Sequence, residues 1–190
     1  HGVRIDLLLG EPLWILPEFR TEMLALIKKL SDLPFKGLHL DLEPNQLSSH
    51  KYDEAYLLRQ LVKTLRAARK MSRVPVGLSI HYRFFESDRS GLCLGCALET
   101  VGLEEVTLMI YVSNPIRVAE IAGAILKSYP RLKFSVAQSV EPILAKQESH
   151  YTKTKKEFRQ MMRQLYANLN HNNFSAIFIQ SWQDFERMTP

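Results

Sequence analysis

The chain has 190 residues, 46% of them hydrophobic and 24% charged. That length and composition suit one globular domain with a single core. No run of about eighteen apolar residues is present, which argues against a membrane-spanning helix. The net charge of +5 comes from Lys and Arg spread along helical segments, including Arg66, Arg69, Lys70, Lys153, Lys155 and Lys156. No aromatic platforms or recognisable nucleic-acid motif interleave with them, so no nucleic-acid partner is expected.

In chain order, six apolar runs have the length of parallel strands buried on both faces: Val3 to Leu9, Gly37 to Leu42, Val74 to Ile80, Val106 to Tyr111, Leu132 to Ala137 and Ala176 to Gln180. Five helical segments alternate with them. Pro17 opens the first, which carries Met23, Leu24, Ile27 and Leu30. Tyr52 to Met71 is the clearest, with Ala55, Leu58, Leu61, Val62, Leu65 and Ala68 at helical spacing. Pro115 opens the one with Ile121, Ala124 and Ile125, and Pro75 stands at a strand start, where its missing amide does least harm. Alternating β and α predicts a parallel sheet with right-handed crossovers.

The turn after the first strand, Leu9 to Trp14, holds neither G-x-G-x-x-G nor a P-loop, which argues against a nucleotide-binding open sheet. Polar and aromatic residues gather instead where the strands end: Glu11 and Trp14, Asp41 and Glu43, His81 and Tyr82, Tyr111 and Asn114, Gln138 and Glu141, Gln180 and Trp182. That is the catalytic face of a β/α barrel. The fold expected is an α/β, TIM-type barrel lacking its first two βα units, spanning residues 1–190, with a preceding segment or domain completing it. No secretion signal can be read, and the compartment is open, the extracytoplasmic side included.

Strand residues alternate faces, so His39, Asp41 and Glu43 share one face and Leu38, Leu40 and Leu42 the other. Two carboxylates at i and i+2 push their pKa values apart, and one stays protonated near neutrality as a general acid. Glu43, nearer the mouth, is the candidate acid, with Asp41 as its deeper partner; the bland alternative is that both tie down loops through backbone amides. A metal alternative would converge His39, Asp41, Glu43 and His81 on a divalent ion, although no tight H-x-H pair exists and no cofactor is expected. The lone C-x-x-C at Cys93 and Cys96 reads as two small residues near a helix start, with a local disulfide or redox pair as the alternative.

The run Lys36-Gly37-Leu38-His39-Leu40-Asp41-Leu42-Glu43 resembles the D-G-x-D-x-D-x-E strand of glycoside hydrolase family 18, the chitinase and endo-β-N-acetylglucosaminidase barrel, with its last two acids at Asp41 and Glu43 and its first two replaced by Lys36 and His39. Leu108-Met109-Ile110-Tyr111 resembles the family's M-x-Y strand, though Val112 follows where an Asp is frequent. Ile179-Gln180-Ser181-Trp182 resembles its final strand. The resemblance implies a carbohydrate substrate, with Glu43 protonating the glycosidic oxygen, Asp41 orienting the sugar's acetamido group, Tyr111 hydrogen-bonding that group and Trp182 flooring the sugar. His39, His81, Tyr82, Gln138, Gln180, Glu11 and Trp14 are the further substrate-binding candidates. A second scheme, like clan A glycosidases, pairs Glu43 with Glu141 as nucleophile, though Leu42 replaces the Asn that precedes the acid there. A catalytically silent carbohydrate-binding barrel is the rival from another class.

Overall fold

The computed structural model describes residues 2–47, 51–86 and 91–190. Strands β1 (Asp6–Gly10), β2 (Gly37–Asp41), β3 (Val76–His81), β4 (Glu105–Met109), β5 (Phe134–Ser139) and β6 (Phe174–Gln180) alternate with helices α1 (Pro17–Leu30), α2 (Glu54–Met71), α3 (Leu94–Leu98), α4 (Pro115–Ser128), α5 (Lys155–Asn168) and α6 (Trp182–Arg187). The strand order is β1-β2-β3-β4-β5-β6. This sequential β/α topology is that of a TIM-type barrel with six of the eight strands. The strand set matches the sequence reading, with ends displaced by at most three residues. The helix set differs, because a sixth helix, α6, follows the last strand. No described helix is long and apolar enough to cross a membrane.

The chain divides into two compact units, residues 1–106 and 107–190. In the first, β1, β2 and β3 run parallel, with Leu8 opposite His39, Gly10 opposite Asp41, His39 opposite Gly77 and Asp41 opposite Ser79. Partners in a parallel register share a face, so one face of this sheet carries Leu8, His39, Gly77, Asp41 and Ser79. On the other face Leu38, Leu40, Leu42, Val76, Leu78 and Ile80 are all at most 3% exposed. Leu7 and Leu38 line a small cavity of about 30 Å³ together with Ile27 and Leu30 of α1, which shows that the helices cover the leucine face.

Local chemistry sets the helix boundaries. Asp53 caps α2 by accepting from the Tyr56 amide, and Arg69 and Lys70 close its last turn, favourable at the negative end of the helix. Arg20 of α1 donates to Thr64 Oγ1 at 2.8 Å, to Gln60 Oε1 at 2.9 Å and to the Ile15 carbonyl at 3.2 Å, joining α1, α2 and the turn after β1. Cys93 and Cys96 form a disulfide across the start of α3. The alternative reading of that motif is therefore the correct one: Cys93 caps the short helix, and the spacing brings the thiol of its third residue alongside.

In the second unit β5 is wholly buried and pairs in parallel with β6, with a register shift between Phe134 and Ser135. Asn114 caps α4, accepting from the Ile116 and Arg117 amides at 3.0 and 3.3 Å. Thr154 and Glu157 close a capping box on α5. Asn173 Nδ2 reaches the carbonyls of Leu126, Tyr129 and Leu132 at 3.0 to 3.2 Å and so binds the end of α4 to the entry of β6.

Leu40, with no exposed surface, belongs to the core of the first unit. Its truncation, Leu40→Ala, should cost about 2–5 kcal/mol in urea unfolding. Thr154→Ala, which removes a cap and leaves the core intact, should cost about 1 kcal/mol. Equal losses would contradict this assignment of core and cap.

Candidate active site

Each strand of the first unit ends in a 3-10 turn whose capping residue is one of the predicted site residues. Glu11 precedes Pro12–Ile15, Glu43 precedes Pro44–Gln46 and His81 precedes Tyr82–Phe85. Their side chains behave differently. Glu11 accepts from the Leu13 amide at 3.0 Å, and His81 Nδ1 accepts from the Arg83 amide at 3.3 Å. Both are occupied in holding their turns. Glu43 makes no such cap; its carboxylate accepts from Gln46 Nε2 at 2.6 Å and Asn45 Nδ2 at 3.5 Å.

Asp41 stands two residues earlier on the same face, opposite Gly10. A Cβ on that glycine would lie 3.2 Å from Asp41 Cβ, so the strand gives the acid room. Asp41 Oδ1 is buried and has no hydrogen-bond partner among the described residues. Burial, reinforced by the nearby charge of Glu43, pushes its pKa up to about 6. The bland reading of the pair, carboxylates spent on backbone amides, does not describe it. Of the pair it is Asp41, the proposed helper, whose pKa is raised. The reason is depth, since Asp41 is the more enclosed of the two.

Below Asp41, the His39 ring lies on Gly77, where a Cβ would come within 2.7 Å of Nδ1, and its Nε2 bonds Ser79 Oγ at 2.8 Å. Burial lowers the His39 pKa, partly offset by the charges of Glu105 and Asp6. The His81 ring stacks on Tyr82 at 4.8 Å, and burial, then Arg83, lowers its pKa. Tyr82 is only 9% exposed, so its ring is packing beneath His81 and not a sugar platform. Trp14 is half-buried in its turn, where its carbonyl accepts from Thr64 Oγ1 at 3.1 Å. Among the described residues no three His, Cys, Asp or Glu groups converge as metal ligands, so the metal scheme lacks its donor set.

In the second unit Tyr111 follows β4 and is half-buried, while Gln180, at the end of β6, is exposed. The Gln180-Ser181 peptide is cis, and Trp182, the first residue of α6, is 62% exposed with its ring 5.3 Å from Phe185. Glu141 accepts from Ser139 Oγ at 3.1 Å, and its own amide donates to the same hydroxyl, a local turn role. Gln138 is a correction. It is fully buried, its Nε2 donates to the Ile110 and Ala137 carbonyls and its Oε1 faces His150 Nε2 at 3.0 Å, so it has nothing left for a ligand.

That last contact exposes a residue sequence reasoning missed. Because the Gln138 amide nitrogen is committed to carbonyls, its oxygen is the acceptor and His150 carries its proton on Nε2. Nδ1 is then a buried lone pair without a partner among the described residues. Burial, aided by Lys153, lowers the His150 pKa to about 4. The sequence offers only a lone His in a polar segment, and no spacing rule singles it out.

The two shifted groups affect stability with opposite signs. Folded Asp41 keeps its proton to about pH 6 against 3.8 for the ordinary group, so stability contributed by this site falls as pH rises through that window. Folded His150 refuses a proton that the unfolded chain takes below 6.5, so its contribution is complete above 6.5 and is lost as pH falls toward 4. Urea unfolding between pH 4 and 8 should show Asp41→Asn gaining on the wild type as pH rises to about 6, and His150→Gln gaining on it as pH falls. Parallel pH curves for all three proteins would refute both burial assignments.

No protein-family model matches the sequence, and no curated protein matches it. Among solved structures, GH5_18 from Bifidobacterium longum subsp. longum ATCC 55813 aligns with 92% of this chain at a TM-score of 0.40 and 9% identity. A variant of GH5_18 from the same organism, in complex with Manb1-4GlcNAc, aligns with 93% of this chain at the same TM-score and identity. The chain spans 43% of the length of each.

Proposed function

We propose that the protein is a glycoside hydrolase resembling family 18, acting on a glycan that contains an acetamido sugar, with Glu43 as proton donor and Asp41 as its helper. One observation carries this reading. Of the three residues that cap the strand-end turns of the first unit, Glu43 alone keeps its side chain off the backbone, and it stands beside an acid whose pKa is raised to about 6.

The chemistry follows from two carboxyl groups on one face. Glu43 donates a proton to the glycosidic oxygen as the bond to the anomeric carbon breaks. Asp41, when ionised, accepts from the acetamido N–H and turns the carbonyl oxygen of that group toward the anomeric carbon, where it forms the new bond. A water molecule then opens the cyclic intermediate while Glu43 takes back a proton, so the sum is hydrolysis with retained configuration. No nucleophile from the chain is required.

Glu43→Gln should lower kcat on an aryl glycoside of an N-acetylglucosamine oligosaccharide by about 10²–10⁴-fold, with KM little changed. Because Asp41 works ionised, kcat/KM should rise with pH through about 6, and Asp41→Asn should remove that acid limb together with most of the rate. Wild type and Glu43→Gln that bind the glycan equally while neither hydrolyses it would overturn the enzyme in favour of a binding barrel.

A further inference from the structure

The +5 net charge is not shared between the two units. Residues 107–190 hold eleven Lys and Arg against six Asp and Glu, the entire excess, while residues 1–106 balance. Within the second unit the cations concentrate on α5. Lys155, Arg159 and Arg163 follow one another at four-residue steps, so their side chains form a row of like charge, and Lys156 stands beside it.

This arrangement is unfavourable on its own. Like charges at i and i+4 repel, and Lys155 and Lys156 occupy the first turn of the helix, its positive end. The acid of that turn, Glu157, is engaged with Thr154 in the capping box. Lys156, Arg159 and Arg163 form no ion pair among the described residues. A bound anion would relieve both costs.

An aromatic hub fixes what lies next to this charge. Phe185, 3% exposed, has Lys155 Nζ 5.7 Å and Arg159 Cζ 5.5 Å from its ring centroid, and the Trp182 ring 5.3 Å away. Lys155 is steadied further by donating to the Glu186 carbonyl at 2.8 Å. The result is a solvent-facing indole, 62% exposed, anchored to the same ring as two cations. A sugar ring offers a C–H face to an indole, and a uronate projects its carboxylate from the ring edge, where a guanidinium binds it through two parallel hydrogen bonds.

We propose that α5 and α6 form a binding surface for an acidic glycan, with Trp182 stacking a sugar ring and Arg159, Lys155 and Lys156 holding its carboxylates. This refines the carbohydrate reading above and rests on it for the class of ligand, although it requires no turnover.

Binding to the whole chain can be measured by calorimetry with two probes, a hexasaccharide of alternating glucuronate and N-acetylglucosamine and the neutral N-acetylglucosamine hexasaccharide. At low salt the acidic probe should bind about tenfold tighter, the equivalent of two exposed ion pairs, and the preference should shrink as salt is added. Lys156→Gln combined with Arg159→Gln should abolish the preference and leave affinity for the neutral probe unchanged, whereas Trp182→Ala should weaken both. Circular dichroism confirms that these surface variants fold. Equal affinity for the two probes, a preference that survives the double variant, or tighter binding of a hexaribonucleotide than of the acidic hexasaccharide would each overturn the proposal. Preference for the acidic probe without hydrolysis of either would support this surface and remove the enzyme reading; hydrolysis of the neutral probe with no preference would do the reverse.

Discussion

The two-residue period of β2 governs the first unit. Leu38, Leu40 and Leu42 are at most 3% exposed against the helix layer, and each contributes about 1.5–3 kcal/mol by being there. A slip of one residue would turn all three out and press His39 and Asp41 into an apolar layer, so the register has a large margin against its nearest competitor. The position of Asp41 is therefore a consequence of the core. Its raised pKa follows in turn, since a carboxyl at that depth with Glu43 beside it holds its proton to a higher pH than an exposed one.

The strand ends show how similar positions acquire different roles. Glu11, Glu43 and His81 each precede a 3-10 turn, where the first amides need acceptors. Glu11 and His81 supply one from the side chain. After β2, side-chain amides of Asn45 and Gln46 fold back onto Glu43, and its carboxylate is held without being consumed by the backbone. A group that is positioned and still has accepting capacity can meet a substrate.

Much of this was legible in the residues. The alternation of His39 and Asp41 with leucines, the spacing of Leu58, Leu61 and Leu65 on α2 and the prolines at Pro17 and Pro115 identify the strands and long helices because each signal is local and periodic. The six residues of α6 are too short to display a period. Equally, the sequence does not show that the Glu11 side chain caps its turn while that of Glu43 does not, since the difference lies in which donors fold back. Gln138 and His150 meet twelve residues apart through a buried hydrogen bond. Pairings of that kind depend on how the chain returns to itself, and a polar residue at a strand end reads the same whether it faces a cleft or fills a core.

The contact between His39 and Gly77 has a consequence for how the site can change. The floor beneath Asp41 is backbone, and any residue larger than glycine at 77 would come within 2.7 Å of an imidazole nitrogen that is already committed to Ser79 through its other side. New specificities cannot easily arise by remodelling this floor, because its depth is set by the spacing between two strands. Variation is channelled outward, into the turns that follow the strands, while the buried end of the strand stays fixed.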